Sequence, residues 1–154
     1  MADRLGTDLT VLPHFAADDA TAADLVKRWT PGRVWIDQPG LQAMDAATLN
    51  GRENLAQAMI LRLLTPRGSL AQLGHAAYGS RLHELIGRRK TSALRNLCRA
   101  FVLEAVAQEP RVESTAVSLD FDEQAERFDS FVFTLAVQPV TDADPVALGL
   151  EVGL

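Results

Sequence analysis

Residues 56–87, AQAMILRLLTPRGSLAQLGHAAYGSRLHELIG, decide how the chain is read. Leu55, Met59, Ile60, Leu63 and Leu64 recur at helical spacing and predict one apolar face. Pro66 stops that helix, because the residue before a proline is pushed away from helical angles. Upstream, Asn50 with Glu53 three residues later is a capping arrangement: the amide accepts orphan N–H groups and the carboxylate suits the positive helix end. Past the Thr65-Pro66-Arg67-Gly68 break and the polar Tyr78-Gly79-Ser80 loop, a brief second helix is predicted over Ser80–Ile86, with Gly87 as its stop.

A third helix is expected from about Thr91 to Gln108, with Leu94, Leu97, Cys98, Phe101, Val102, Ala105 and Val106 as its buried stripe. After Glu109-Pro110-Arg111 the apolar period falls to two. Thr115, Val117, Leu119 and Phe121 alternate with polar residues, DEQAER at 122–127 turns the chain, and Phe131, Phe133, Leu135 and Val137 alternate again. A break from Pro139 to Pro145 precedes Val146, Leu148, Leu150 and Val152. Helices first and strands last predict an α+β fold, about three helices packed on a small, mainly antiparallel C-terminal sheet.

Residues 1–49 carry Pro13, Pro31, Gly32, Pro39 and Gly40, and only 20–29 has weak helical character. We expect an extended N-terminal arm there, with short extended pieces at Thr10–Leu12 and Arg33–Ile36 and with Trp29 and Trp35 as anchors, and a domain over residues 50–154.

A chain of 154 residues fits one domain with a real core. No apolar run approaches the roughly 18 residues of a membrane span, and MADRLGTDLTV has no basic region followed by an apolar stretch. The expected location is therefore the cytoplasm until the chain enters something larger, with no membrane partner. One cysteine, Cys98, excludes an internal disulfide, and its place on an apolar helical face predicts a small buried hydrophobe rather than a catalytic thiol.

Charge is unevenly placed. Nine basic residues against two acids between Arg52 and Arg99 leave +7 there, and the other six bases and eighteen acids leave −12. Such a dipole could orient docking, contact nucleic acid, or simply solvate a face. The Arg88-Arg89-Lys90 triplet has few aromatics nearby and so lacks the stacking platforms of single-strand binders; no nucleic-acid partner is expected.

Catalytic signals are weak. Glycoside hydrolysis needs two carboxylates roughly 5 to 9.5 Å apart. Glu84, Glu104, Glu109, Asp120 and Asp122 are available, but with twenty acids some pair meets that distance by chance. His14, His75 and His83 have no ligand-like spacing with Cys98, and no phosphate-binding glycine loop is present, so neither metal nor cofactor is expected.

Glu109-Pro110-Arg111 is the strongest local oddity. A glutamate in the last turn of a helix faces the negative end of the macrodipole, at a cost of about 0.3–1 kcal/mol if exposed. It either stands in solvent at a helix-to-strand corner or takes a cationic partner, and Arg111 is placed to clamp it. The last strand poses a second alternative: at a sheet edge it would template another chain's strand, or it completes the domain's own sheet.

Asn54-Leu55-Ala56-Gln57, Arg62-Leu63-Leu64-Thr65-Pro66-Arg67-Gly68, Tyr78-Gly79-Ser80-Arg81-Leu82, the long helix and Glu109-Pro110-Arg111, in this order, resemble the sheath-initiator family of contractile-tail baseplates, often labelled "lysozyme-like". The likeness covers about residues 50–138 and departs before residue 50 and after Pro139. It implies a structural baseplate component, not an enzyme, that links wedge proteins to the first sheath ring and templates sheath by strand exchange, in about six copies around a central spike or hub and tube. Carried over, Glu109, Pro110 and Arg111 become wedge-contact residues, and the strands at 115–137 and 146–152 become the sheath-facing sheet, with Val146, Leu148, Leu150 and Val152 as sheath contacts. The alternative is a peptidoglycan hydrolase of a tail.

Overall fold

The computed structural model describes residues 6–9, 26–28, 48–141 and 144–154. Two α-helices and a sheet dominated by three long antiparallel strands make an α+β fold. In chain order the elements are β1 (Thr7–Leu9), β2 (Val26–Arg28), β3 (Thr48–Asn50), α1 (Gly51–Leu64), α2 (Ser92–Val106), β4 (Val112–Phe121), β5 (Ser130–Pro139) and β6 (Val146–Gly153).

The helix count differs from the expected three. Leu82–Leu85 form a single 3-10 turn, not an α-helix. The segment is closed in by Gly79 and Gly87, both at positive φ, and the Ser80 hydroxyl takes the Leu82 N–H at 3.3 Å. A span this short cannot repay helix nucleation. The other two helices stand where the periodicity put them. α2 starts on Thr91, whose side chain accepts the Leu94 N–H at 3.1 Å, a cap worth about 1 kcal/mol.

Most of the predicted stripes are buried. Leu55, Met59, Ile60 and Leu63 of α1 and Leu94, Cys98, Phe101, Val102, Ala105 and Val106 of α2 join one core with Phe131, Phe133, Leu135 and Val137 of β5. Leu64 and Leu97 are corrections: at 38% and 37% exposure they lie beyond the face that the sheet covers.

The sheet runs β2-β6-β5-β4. β5 is an inner strand, antiparallel to β4 (Leu119 opposite Leu135) and to β6 (Leu135 opposite Leu148). β4 has no neighbour on its other side among the described residues. Between Val112 (opposite Pro139) and Val117 (opposite Val137) its register slips, so Thr115, expected on the apolar face, stands exposed in a bulge.

Of the arm expected over residues 1–49, the greater part, with Trp29, Trp35 and the pieces at Thr10–Leu12 and Arg33–Ile36, lies outside the described residues. Within it, Val26–Arg28 belong to a strand rather than to the weak helix read over 20–29, and they pair in parallel with Gly149–Glu151 of β6. β1 and β3 pair with each other, and the Gln57 amide donates to the Leu9 carbonyl at 2.8 Å, tying β1 to α1.

Candidate functional site

The sequence motifs meet at one corner, where α1 ends, the 66–80 loop returns and α2 gives way to β4. Thr65-Pro66-Arg67 and Gly79-Ser80 form a short parallel bridge: Ser80 N–H donates to the Thr65 carbonyl and Arg67 N–H to the Ser80 carbonyl, both at 2.8 Å. The Ser80 hydroxyl, buried, donates to the Leu63 carbonyl at 2.6 Å and so closes the end of α1. Gly79 is required there. Its φ is +106°, and a Cβ would lie 2.4 Å from the Thr65 carbonyl oxygen.

Glu109 sits in the same corner and is 5% exposed. Arg111 Nε donates to its Oε1 at 2.6 Å, and Arg62 of α1 donates to its Oε2 at 3.2 Å. Burial pushes the Glu109 carboxyl up, but the hydrogen bond and charge of Arg111, then those of Arg62, outweigh it and hold the pKa below the ordinary value. Of the two alternatives for this glutamate, the cationic partner is therefore the one realised, and Arg62 is a second partner that local sequence spacing did not reveal. Arg111 is three-quarters buried and its carbonyl accepts the Val140 N–H at 2.9 Å, while Pro110 is exposed.

The Arg62 guanidinium also lies 4.5 Å from the centroid of the Tyr78 ring. Arg81 pairs with Glu84 at 2.7 Å and stacks 4.4 Å from the Phe101 centroid. Arg67 pairs with Glu104. The Tyr-Gly-Ser-Arg-Leu and Glu-Pro-Arg motifs thus share a job: they pin the loop and both helix ends through arginines stacked on rings and paired with acids.

The C-terminal strand divides differently. Val146, Leu148 and Val152 are buried in the core, so their side chains do not face outward. Leu150 lines an apolar pocket of about 290 Å³ with Leu63, Leu82 and Phe133. One edge of β6 is taken by β5 and the stretch Gly149–Glu151 of the other by β2.

Among the described residues no group of three or more His, Cys, Asp or Glu is arranged to hold a metal ion, and no helix is long and apolar enough to cross a membrane. Burial pushes the Cys98 thiol up to about 12, the nearby Glu126 charge adding to it, so Cys98 is a core residue. A second acid, Glu126, whose side chain is 2% exposed, is held by Lys90 at 2.8 Å and Arg95 at 2.7 Å, which root the β4–β5 turn at the start of α2.

No family model matches the sequence, and no curated protein does. A crystal structure from Geobacter sulfurreducens, provisionally described as a tail lysozyme, has the same fold at a TM-score of 0.58 and 18% identity, over 73% of this chain and 96% of that one. The chain therefore shares its fold with a tail-related protein, and the likeness extends over nearly the whole of that structure.

Proposed function

We propose that this chain is a structural baseplate component of a contractile tail or injection machine, joining wedge proteins to the first sheath ring and seeding sheath by strand exchange. The observation that carries this reading is a fold held in common with a tail-related protein, together with the ten-residue strand β4 of this chain, whose outer edge has no strand partner among the described residues. An unpaired edge offers a row of N–H and C=O groups to an incoming strand. The first ring is where such a template matters, because it forfeits the most association entropy for the fewest contacts. Six or so copies around a spike or hub would present that edge as a ring, assembled in the cytoplasm and then carried in the particle.

In this reading the exposed Pro110 and the outer side of Arg111 meet the wedge, while the buried Glu109 holds Arg111 in place. The sheath-facing role passes from the side chains of Val146, Leu148 and Val152 to backbone edges, chiefly that of β4. Hydrogen–deuterium exchange on the chain mixed with its sheath subunit tests this: amides of Val112–Phe121 slow on binding. Protection confined to α1 and α2, or none, overturns it.

The hydrolase reading draws on the name given to the Geobacter structure. A glycosidase needs one carboxyl with a raised pKa. Here Glu84, Glu109 and Glu126 are all shifted downward by arginine or lysine partners. These three are thus poor general acids; we favour an assembly role on the ground of the shared fold and the strand edge, and clearing of a cell-wall suspension by the pure chain would reverse that preference.

A further inference from the structure

The open edge of β4 is not bare. Asp122 N–H donates to the Val132 carbonyl at 2.9 Å, and Asp120 and Ser118 stand opposite Thr134 and Ala136. In an antiparallel pair these alternate residues face the partner strand, so the N–H and C=O groups of Val117, Leu119 and Phe121 point the other way, into the open edge. One of them is occupied: the Arg99 guanidinium of α2 donates to the Leu119 carbonyl at 2.8 Å. The same guanidinium lies 5.3 Å from the centroid of the Phe121 ring. Among the described residues Arg99 has no carboxylate partner, whereas Arg95, one turn earlier, is held by Glu123 and Glu126. Leu103, one turn later on the same side of α2, is exposed. The border of the edge thus presents an aromatic ring, a cation without an acid and an apolar side chain.

We propose that the partner strand which adds to β4 carries an aspartate or glutamate on its helix-facing side, beside Leu119, and that Arg99 moves from the Leu119 carbonyl to this carboxylate as the strand pairs. The inference rests on the reading of β4 as the edge that takes another chain's strand, and it names the chemistry of that strand. While the edge is empty, Arg99 satisfies one outward carbonyl and blunts the edge against indiscriminate pairing. An incoming strand brings its own N–H to Leu119 and covers Arg99, which then needs a new acceptor. A neutral side chain there would leave the cation desolvated and unpaired, and a basic one would repel it. Side chains two residues to either side of the acid share its face and meet Phe121 and Leu103, so they are apolar. Asp120 does not oppose the acid, because it projects from the other face of the sheet, where it is exposed. A second copy of this chain is a poor occupant: pairing residues 117–121 with themselves would bring two Arg99 guanidiniums to one seam.

The test uses the isotope-labelled full chain and two blocked heptapeptides, acetyl-Thr-Val-Thr-Glu-Thr-Val-Thr-amide and its glutamine counterpart, followed by NMR of backbone amides and arginine side chains. The glutamate peptide should give saturable shifts at Val117, Leu119, Phe121 and the Arg99 side chain, and the glutamine peptide should bind about threefold or more weakly. In Arg99→Gln that preference should vanish, which separates a pairing with Arg99 from general adhesion. Arg99 is exposed, so the change leaves the fold intact. Equal binding of the two peptides, a preference that survives Arg99→Gln, shifts confined to other surfaces, or no saturation at millimolar peptide would each overturn the proposal. A dimer of the free chain with its β4 amides protected from exchange would also overturn it and assign the edge to a second copy. Equal binding at the β4 edge would sink the acid and leave strand addition standing, while recovery of tail partners from cells decides the tail reading separately.

Discussion

Arg62 and Glu109 lie 47 residues apart and form a hydrogen-bonded ion pair at 3.2 Å that joins the last turn of α1 to the end of α2. Arg111 completes it from the root of β4. The carboxylate lies just past the end of α2, the two guanidiniums outweigh the cost of burying it, and three elements are fixed by one carboxylate.

Glu109→Ala should therefore destabilise the chain by about 3 kcal/mol, since it removes the carboxylate that two largely buried arginines share. Chemical denaturation measures it directly. Arg111→Ala, whose side chain is a quarter exposed, should cost less stability and, if the corner meets the wedge, more assembly per folded molecule.

The same pair sets an acid limit. A carboxyl held below its ordinary value contributes stability that is fully present above the unfolded value, about 4.3 for glutamate, and is lost as the pH falls through the lower folded value. Glu126 is shifted in the same direction: burial raises it, and Lys90 and Arg95 together more than reverse that. Stability should thus fall with acid below about pH 4. Glu109→Gln should be less stable at neutrality, with a gap to the parent that narrows as the pH drops; unfolding curves across that window check the sign.

Gly79→Ala should be among the most damaging single-methyl changes in the chain. It forces a left-handed backbone on a residue with a Cβ and drives that carbon onto the Thr65 carbonyl. We expect about 3 kcal/mol, or roughly 10 °C in melting temperature. Gly68→Ala, at φ +87° but with nothing near its Cβ, should cost about 1 kcal/mol.

Cys98 should resist alkylation in the folded chain at pH 8 and react fully in denaturant. Its thiol is wholly buried and its pKa is pushed up to about 12, so the thiolate is scarce and out of reach. Mass spectrometry of iodoacetamide-treated protein reads the outcome.

Local physics made much of this fold legible. The change of apolar period at Pro110 marked the step from α2 to β4, because burial on a helix and on a sheet face imposes different spacings. The motif Tyr78-Gly79-Ser80 announced a loop, and only three dimensions show it bridged to Thr65-Pro66-Arg67. What stayed hidden depends on distant chain. Arg62 carries no local mark as the partner of Glu109. β2 pairs in parallel with β6 across more than a hundred residues, and three residues have no period to read. The brief helix read over Ser80–Ile86 is only a 3-10 turn over Leu82–Leu85, because glycines at positive φ on either side leave it too short to repay helix nucleation.

The most direct test of the central claim is recovery of the tagged chain from its native host under gentle conditions, with mass spectrometry and negative-stain imaging of what accompanies it. The account predicts sheath, tube and wedge proteins in the eluate, and tails or baseplates on the grid. A solitary protein, recovered while the tail genes are expressed and tails are being made, would contradict it.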